Sequence, residues 1–298
     1  MSQVSDPPLP RPPIIARTAT FFTPIPEQVY EKNAHAWHQY IHSSFPKEQS
    51  EARWKFELDG YEKGVPKLRD TSPSMWIDHW HLKIHPEHGG EDTVRIFQSE
   101  GRAKGGISFN ITRTSPHKPR SYGHLRASCS DNLSSAVDIF QSSGISSVHL
   151  YYQNIISLRM FPEFEMGSGS IGLGKVLKAH EQFRMPGAGF CLPYSHQMNF
   201  RASEEELMFA SVEVNGHGSE RPDRSDRLGD LELTVDFTVE SYPSDSNKPF
   251  SPSQALQQLD LCHDKILEYF VATFTEHAKQ LFGSSSKPLP TAPPANGS

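Results

Sequence analysis

"LGDLELTVDFTVES", Leu228 to Ser241, alternates apolar and polar residues more cleanly than any other stretch of the chain. Leu231, Leu233, Val235, Phe237 and Val239 fall on one parity, and Glu232, Thr234, Asp236, Thr238 and Glu240 on the other. Successive side chains of a strand point to opposite faces, so the pattern predicts one buried and one solvated side. One-sided strands of this kind belong to antiparallel sheets.

Outward from it, "HQMNFRA" and "LMFASVEVNG" read as two further strands on the N-terminal side. On the C-terminal side "SPSQ" offers a capping box, Ser251 with Gln254, and Pro252 in the first turn. Leu259, Cys262, Ile266, Phe270, Phe274 and Leu281 then form an apolar stripe, with Gly283 as the stop. Read as one helix, this segment would run roughly 45 Å at about 1.5 Å per residue.

Earlier in the chain "PPIIARTATFFTP" predicts a strand bounded by prolines, followed by a helix from Pro26 to about Ser44. Tyr30, Ala34, Trp37 and Ile41 give that helix its core-facing stripe. "RWKFELDG", with Trp54, Phe56 and Leu58 on one face, "MWIDHWHLKIH", "TVRIFQS", "GISFNITRT" and "SVHLYYQNIISLRM" read as strands. A helix is expected near Asn132–Gln141, and "PEHGGED" as a hairpin connection.

The predicted class is α+β: antiparallel sheets in two sequential halves, about 14–160 and 161–283, with a helix after the first strand and a long C-terminal helix packed on sheet. Residues 1–13 are proline-rich and residues 284–298 of low complexity, so both are expected to be disordered tails.

The 298 residues carry a net charge of -6, which argues against nucleic acid or an anionic membrane as the main partner. No 18-residue apolar run is present, and the N-terminus lacks the apolar core of a signal peptide. Cys129, Cys191 and Cys262 are odd in number and far apart, which speaks against a disulfide or zinc framework and for a reducing cytoplasm.

Four histidines crowd "DHWHLKIHPEHGG", Asp78 to Gly90. One reading is a cupin-like metal site of His79, His81, Glu87 and His196. Its spacing departs from that pattern: five residues separate His81 from Glu87, and "PYSH" lacks the glycine such a motif carries. The favoured reading turns Trp80, Leu82 and Ile84 inward and leaves His79, His81, Lys83 and His85 on a solvated face. His35, His38 and His42 share a helix face, but no carboxylate or cysteine accompanies them in sequence, so they too read as solvated.

"GSGSIGLGK" contains GxGxxG but lacks the strand before it and the acidic residue about twenty positions on that a dinucleotide site needs. "HEQFR" lacks the second histidine of HExxH, and neither GxSxG nor a P-loop is present. One basic stretch, Arg113 to Arg126, holds Arg113, Lys118, Arg120 and Arg126, a candidate phosphate or nucleic-acid contact. A loop made soluble by charge is the favoured reading there.

Four stretches carry a family resemblance: "LPRPPIIARTATF", "YIHSSFPKEQ", "VHLYYQNIISL" and "LDLCHDKILEYFVATFTE". In this order the chain resembles a sporadically distributed bacterial family of unknown function. The family usually carries an acidic residue where Ala16 or Arg17 stands here. The resemblance implies a two-part α+β domain and a patchily inherited gene, the kind found beside toxin–antitoxin or phage-defence modules. Tyr152 and Asn154 match its Leu-x-Tyr-x-Asn strand and become candidate ligand or partner residues. The expectation from sequence is thus a non-enzymatic cytoplasmic binding protein with a protein partner and no cofactor. The alternatives are a cupin-like metal enzyme and a phosphate or nucleic-acid binder.

Overall fold

Ile14–Thr23 forms β1, and this first strand takes the centre of the sheet. In the computed structural model β1 pairs antiparallel with β7 (Lys104–Thr112) on one side and with β8 (Ser147–Ser157) on the other. Residues 14–25, 27–55, 58–62, 65–68, 74–86, 90–99, 104–112, 121–157, 176–178, 194–203, 206–218 and 231–282 are described. Beside these strands lie β2 (Lys47–Lys55), β5 (Ser74–His85), β6 (Gly90–Ser99), β9 (Tyr194–Ser203), β10 (Leu207–Gly218) and β11 (Leu231–Tyr242). Together they make one antiparallel sheet in the order β2-β5-β6-β7-β1-β8-β11-β10-β9. A separate small ribbon pairs β3 (Leu58–Glu62) with β4 (Val65–Leu68). The α+β class and the antiparallel sheet hold; the two halves are not expressed as a break, because β8 bonds to both β1 and β11.

One face of the sheet is covered by α1 (Glu27–Ile41), α2 (Tyr122–Ile139) and α3 (Pro252–Thr273), with the short α4 (Glu276–Leu281) after them. Helix α3 packs on β8 and β11, α2 on β1 and β7 and against α3, and α1 against α2. The clean alternation of β11 is realised as read: Leu233, Val235, Phe237 and Val239 are fully buried under α3. No helix among the described residues is long and apolar enough to cross a membrane.

Four expectations need correction. The strand expected at Arg53–Gly60 is two: β2 starts at Lys47, just after the Phe45-Pro46 turn, and β3 starts at Leu58. Helix α2 begins at Tyr122 rather than Asn132, and its buried stripe already includes Tyr122, Leu125 and Cys129. The serine- and glycine-containing start hides that stripe from a propensity reading, because such residues are weak helix formers. The C-terminal helix is broken. Phe274 is extended, Leu177 pairs with it, and the Thr275 N–H donates to the Val176 carbonyl at 3.0 Å. Thr275 then caps α4, its side chain accepting from the Ala278 N–H. The capping box at Ser251 and Gln254 forms as predicted. The fourth is the parity of β5, whose His81 and His85 are buried. Both expected tails, 1–13 and 284–298, lie outside the described residues, as do the GxGxxG segment, "HEQFR" and Cys191.

Beneath α3 a polar thread crosses the apolar core. The Tyr152 hydroxyl is 2.7 Å from His263 Nδ1, and Tyr122 stacks on His263 with centroids 3.7 Å apart. The Tyr122 hydroxyl donates to Asp260 at 2.7 Å, where Arg126 Nε also donates at 2.9 Å. Burial, reinforced by the Asp260 carboxylate, holds the Tyr122 phenol protonated far above its ordinary range. Arg17 lies over the Tyr152 ring, 5.1 Å from its centroid, so the basic residue at this position serves packing.

The opposite face of the sheet is half-buried and polar. Thr18 donates to Asn110, and Thr20 bonds to Ser108. Glu213 and Asp236 sit directly opposite on β10 and β11, a like-charge cross-strand pair. Burial first, then Glu213, raises the Asp236 carboxyl above its ordinary value, with the Tyr151 hydrogen bond opposing.

Two outcomes follow. Tyr152→Phe removes the hydroxyl bonded to His263 and should cost about 1–2 kcal/mol in urea unfolding; an unchanged midpoint would deny that bond a stabilising role. Asp236 takes up protons more readily folded than unfolded, so its contribution to stability falls as pH rises through the carboxylate range. Asp236→Asn should therefore gain on the parent as pH is raised from about 4 to 7. A pH-independent difference in urea midpoints would rule this out.

Candidate metal centre

Histidine 81 is buried, 1% exposed, on the helix-covered face of the sheet. The reason is register. His81 pairs with Val94 and Lys83 with Asp92, and directly paired residues share a face. In β6 the parity of Asp92, Val94 and Ile96 is the buried one. His81 and His85 therefore turn inward, while Lys83 between them is exposed and Leu82, expected inside, is buried at 7%. The expected solvated histidine face is thus overturned for these two residues. Ile84, expected inside, is 48% exposed. On that other face Arg95 lies over the Trp80 ring at 5.2 Å and offsets part of its exposure.

Two more ligand-type residues converge on His81. The chain leaves α1 at Ile41, buries Phe45 and returns as β2, antiparallel to β5, which places Glu48 directly opposite His81. Helix α1 lies over this corner, with the His38 ring 5.3 Å from the His81 ring. His38 Nδ1 is 3.2 Å from a Glu48 carboxylate oxygen. One donor atom from each of His38, Glu48 and His81 lies within 4.8 Å of the others. A zinc ion with bonds near 2.1 Å holds tetrahedral ligands roughly 3.4 Å apart. The His38–Glu48 pair already has that spacing, and the His81 donor lies within 4.8 Å of both.

The three residues border a cavity of about 460 Å³ lined also by Tyr30, Ala34, His35, Trp37, Ile96 and Phe140. Tyr30 stacks near Phe140 at 6.0 Å, and Trp37 lies 6.1 Å from the same ring. Around the triad, His35 Nε2 is 3.0 Å from Gln39, and His42 is exposed with its ring 5.4 Å from His38. Farther along β5, His85 bonds to the buried Asp92 at 3.0 Å, with His124 3.9 Å from the same carboxylate.

The residues expected from sequence are placed as follows. His81 belongs to the cluster, whereas His196 stands on β9, the last strand of the sheet, with β5 second from the other edge. The structure does not bring these two together. His79 lies on β5 opposite Ile96, and Glu87 lies outside the described residues. Of the basic set, Arg126 is paired with Asp260, and Arg113, Lys118 and Arg120 lie outside the described residues. Tyr152 and Asn154 are buried at 1% and 0%, Asn154 donating to the Val235 carbonyl at 2.8 Å, so both are core residues rather than a partner surface. The helix row expected to lack a carboxylate receives one from β2. Glu48 carried no sequence signal of its own; the available clue was the alignment of "KEQSEARWK" against "SMWIDHWHL", which sets it opposite His81.

No family model matches the chain, and no curated protein matches it. The family resemblance therefore rests on the four stretches alone. Among solved structures, the di-domain ARO/CYC StfQ from the steffimycin biosynthetic pathway aligns over 89% of this chain and 99% of that one. Identity is 10% and the TM-score 0.17, a likeness too slight to carry fold or function across.

Proposed function

We propose that the protein holds a divalent transition-metal ion on His38, Glu48 and His81 and uses it to bind and polarise a small molecule in the adjoining cavity. The observation that carries this is the convergence of two imidazoles and a carboxylate from α1, β5 and β2 within 4.8 Å. Two nitrogens and one carboxylate oxygen suit zinc and its first-row neighbours. Three protein ligands leave a coordination position open, the arrangement of catalytic rather than structural metal sites. The three residues border a half-open pocket of about 460 Å³, of small-molecule size. In such a site the ion acts as a Lewis acid on a bound oxygen.

A protein partner remains the second reading. Phe200, Leu207 and Phe209 are 37%, 39% and 42% exposed on the last two strands of the sheet, more apolar surface than that edge needs. A host pull-down that returns no specific partner would remove its support.

The test of the metal reading is elemental analysis of untagged full-length protein, purified without nickel and washed with a mild chelator. One equivalent of metal is expected. His81→Ala and Glu48→Gln should each weaken zinc binding by at least about a hundredfold, since even outer-shell changes cost 10–100-fold. Binding should weaken as pH falls, because the ion displaces protons from the imidazoles. At a hundred times its dissociation constant, zinc should stabilise the parent by about 2.7 kcal/mol. Substoichiometric metal in the parent, or retention by His81→Ala, would overturn the assignment.

A further inference from the structure

The two rims of the sheet differ in chemistry. At one end β2 carries Lys47, Glu48, Glu51, Arg53 and Lys55 in nine residues. Charges at this density keep a rim strand from pairing with another chain. At the other end β9 reads YSHQMNFRAS and carries only Arg201 and the titratable His196. Among the described residues it is paired within the sheet to β10 alone, and Ser195, Gln197, Asn199, Phe200 and Arg201 are exposed. A long, exposed rim strand with so little charge is a template for a further strand.

The pattern of β9 says which strand fits. Its register with β10 runs unbroken from Tyr194 to Arg201 and shifts only beyond that residue. His196, Met198 and Phe200 oppose the buried Val214, Val212 and Ala210, so they share the helix-covered side, where Phe200 meets Tyr269 of α3 at 4.8 Å. Ser195, Gln197, Asn199 and Arg201 take the other side. The regular stretch Ser195–Arg201 is centred on Met198. A second, antiparallel copy with its two-fold axis at Met198 sets Met198 against itself, His196 against Phe200 and Gln197 against Asn199. Apolar and aromatic side chains then meet on one side and amides on the other. Arg201 falls opposite Ser195, so no like charges face each other directly. An axis one residue on, at Asn199, would carry the pairing into the irregular end at Ala202 and Ser203.

We infer that β9 is the interface of a homodimer, in which β9 of one protomer pairs antiparallel with β9 of its partner and joins the two sheets into one. The contact is isologous: each residue pair across the axis occurs twice, and self-complementarity of this kind selects a second copy over an unrelated chain. The inference does not draw on the metal reading. It concerns the same rim as the protein-partner reading, and the occupant it names is this chain itself.

The experiment is sedimentation velocity on the untagged full-length chain over roughly 1–100 μM, and a concentration-dependent dimer is expected. Gln197→Lys combined with Asn199→Lys puts lysines directly opposite each other at two pairs and should weaken association at least about tenfold. Gln197→Lys combined with Asn199→Glu puts opposite charges at the same pairs and should associate as tightly as the parent or more so. Both positions are exposed, so the substitutions spare the fold of each protomer. The measurement on the parent stands whether or not they do. A parent that stays monomeric, a double-lysine variant that dimerises like the parent, or a lysine–glutamate variant that fails to dimerise would each overturn the inference. A monomeric parent that still captures a host protein leaves the protein-partner reading standing while this one falls.

Discussion

The pairing of β1 along both of its edges is the constraint on which the rest of the molecule depends. Thr18 meets Asn110 and Tyr151, so the first strand is locked between two strands that arrive roughly a hundred residues later. Until both are present, neither side of the sheet can be joined to the other. Closing such long loops before contacts reward it makes this kind of topology slow to form. It also explains why Arg17, Ala19 and Phe21 are covered on the helix side: they sit at the middle of the sheet, where α2 crosses.

Much of this architecture was legible from periodicity. Where one face was buried and the other wet, as in β11, alternation named the face correctly, because a single apolar parity leaves no choice. It failed in β5, where both parities carry residues that can be buried: Trp80 and Leu82 on one, His81 and His85 on the other. There the decision comes from β6, through pairs such as His81 with Val94, and so from a strand-to-strand register that no isolated strand contains. The C-terminal helix failed for a related reason. Its apolar stripe continues past Phe274, but Leu177 and Val176 offer backbone partners that divert the chain into an extended link.

The candidate site was half legible. The histidine rows on α1 and β5 were visible as rows; the first had no carboxylate beside it in sequence, and the second was given Glu87, which lies outside the described residues. What joined them was the tight return from α1 into β2, which brings a glutamate from an otherwise unremarkable polar strand opposite His81. Tertiary geometry assembled the cluster from positions 38, 48 and 81, each of which on its own reads as ordinary surface chemistry.

The position of β2 at the rim of the sheet has a kinetic consequence. It is hydrogen-bonded within the sheet to β5 alone, so the pairing of the central strands does not depend on it. Glu48 travels with it. An ion shared by His38, Glu48 and His81 therefore ties α1, the outermost strand and its neighbour into one unit. Release of an ion proposed there would then require that rim to fray as well as coordinate bonds to break.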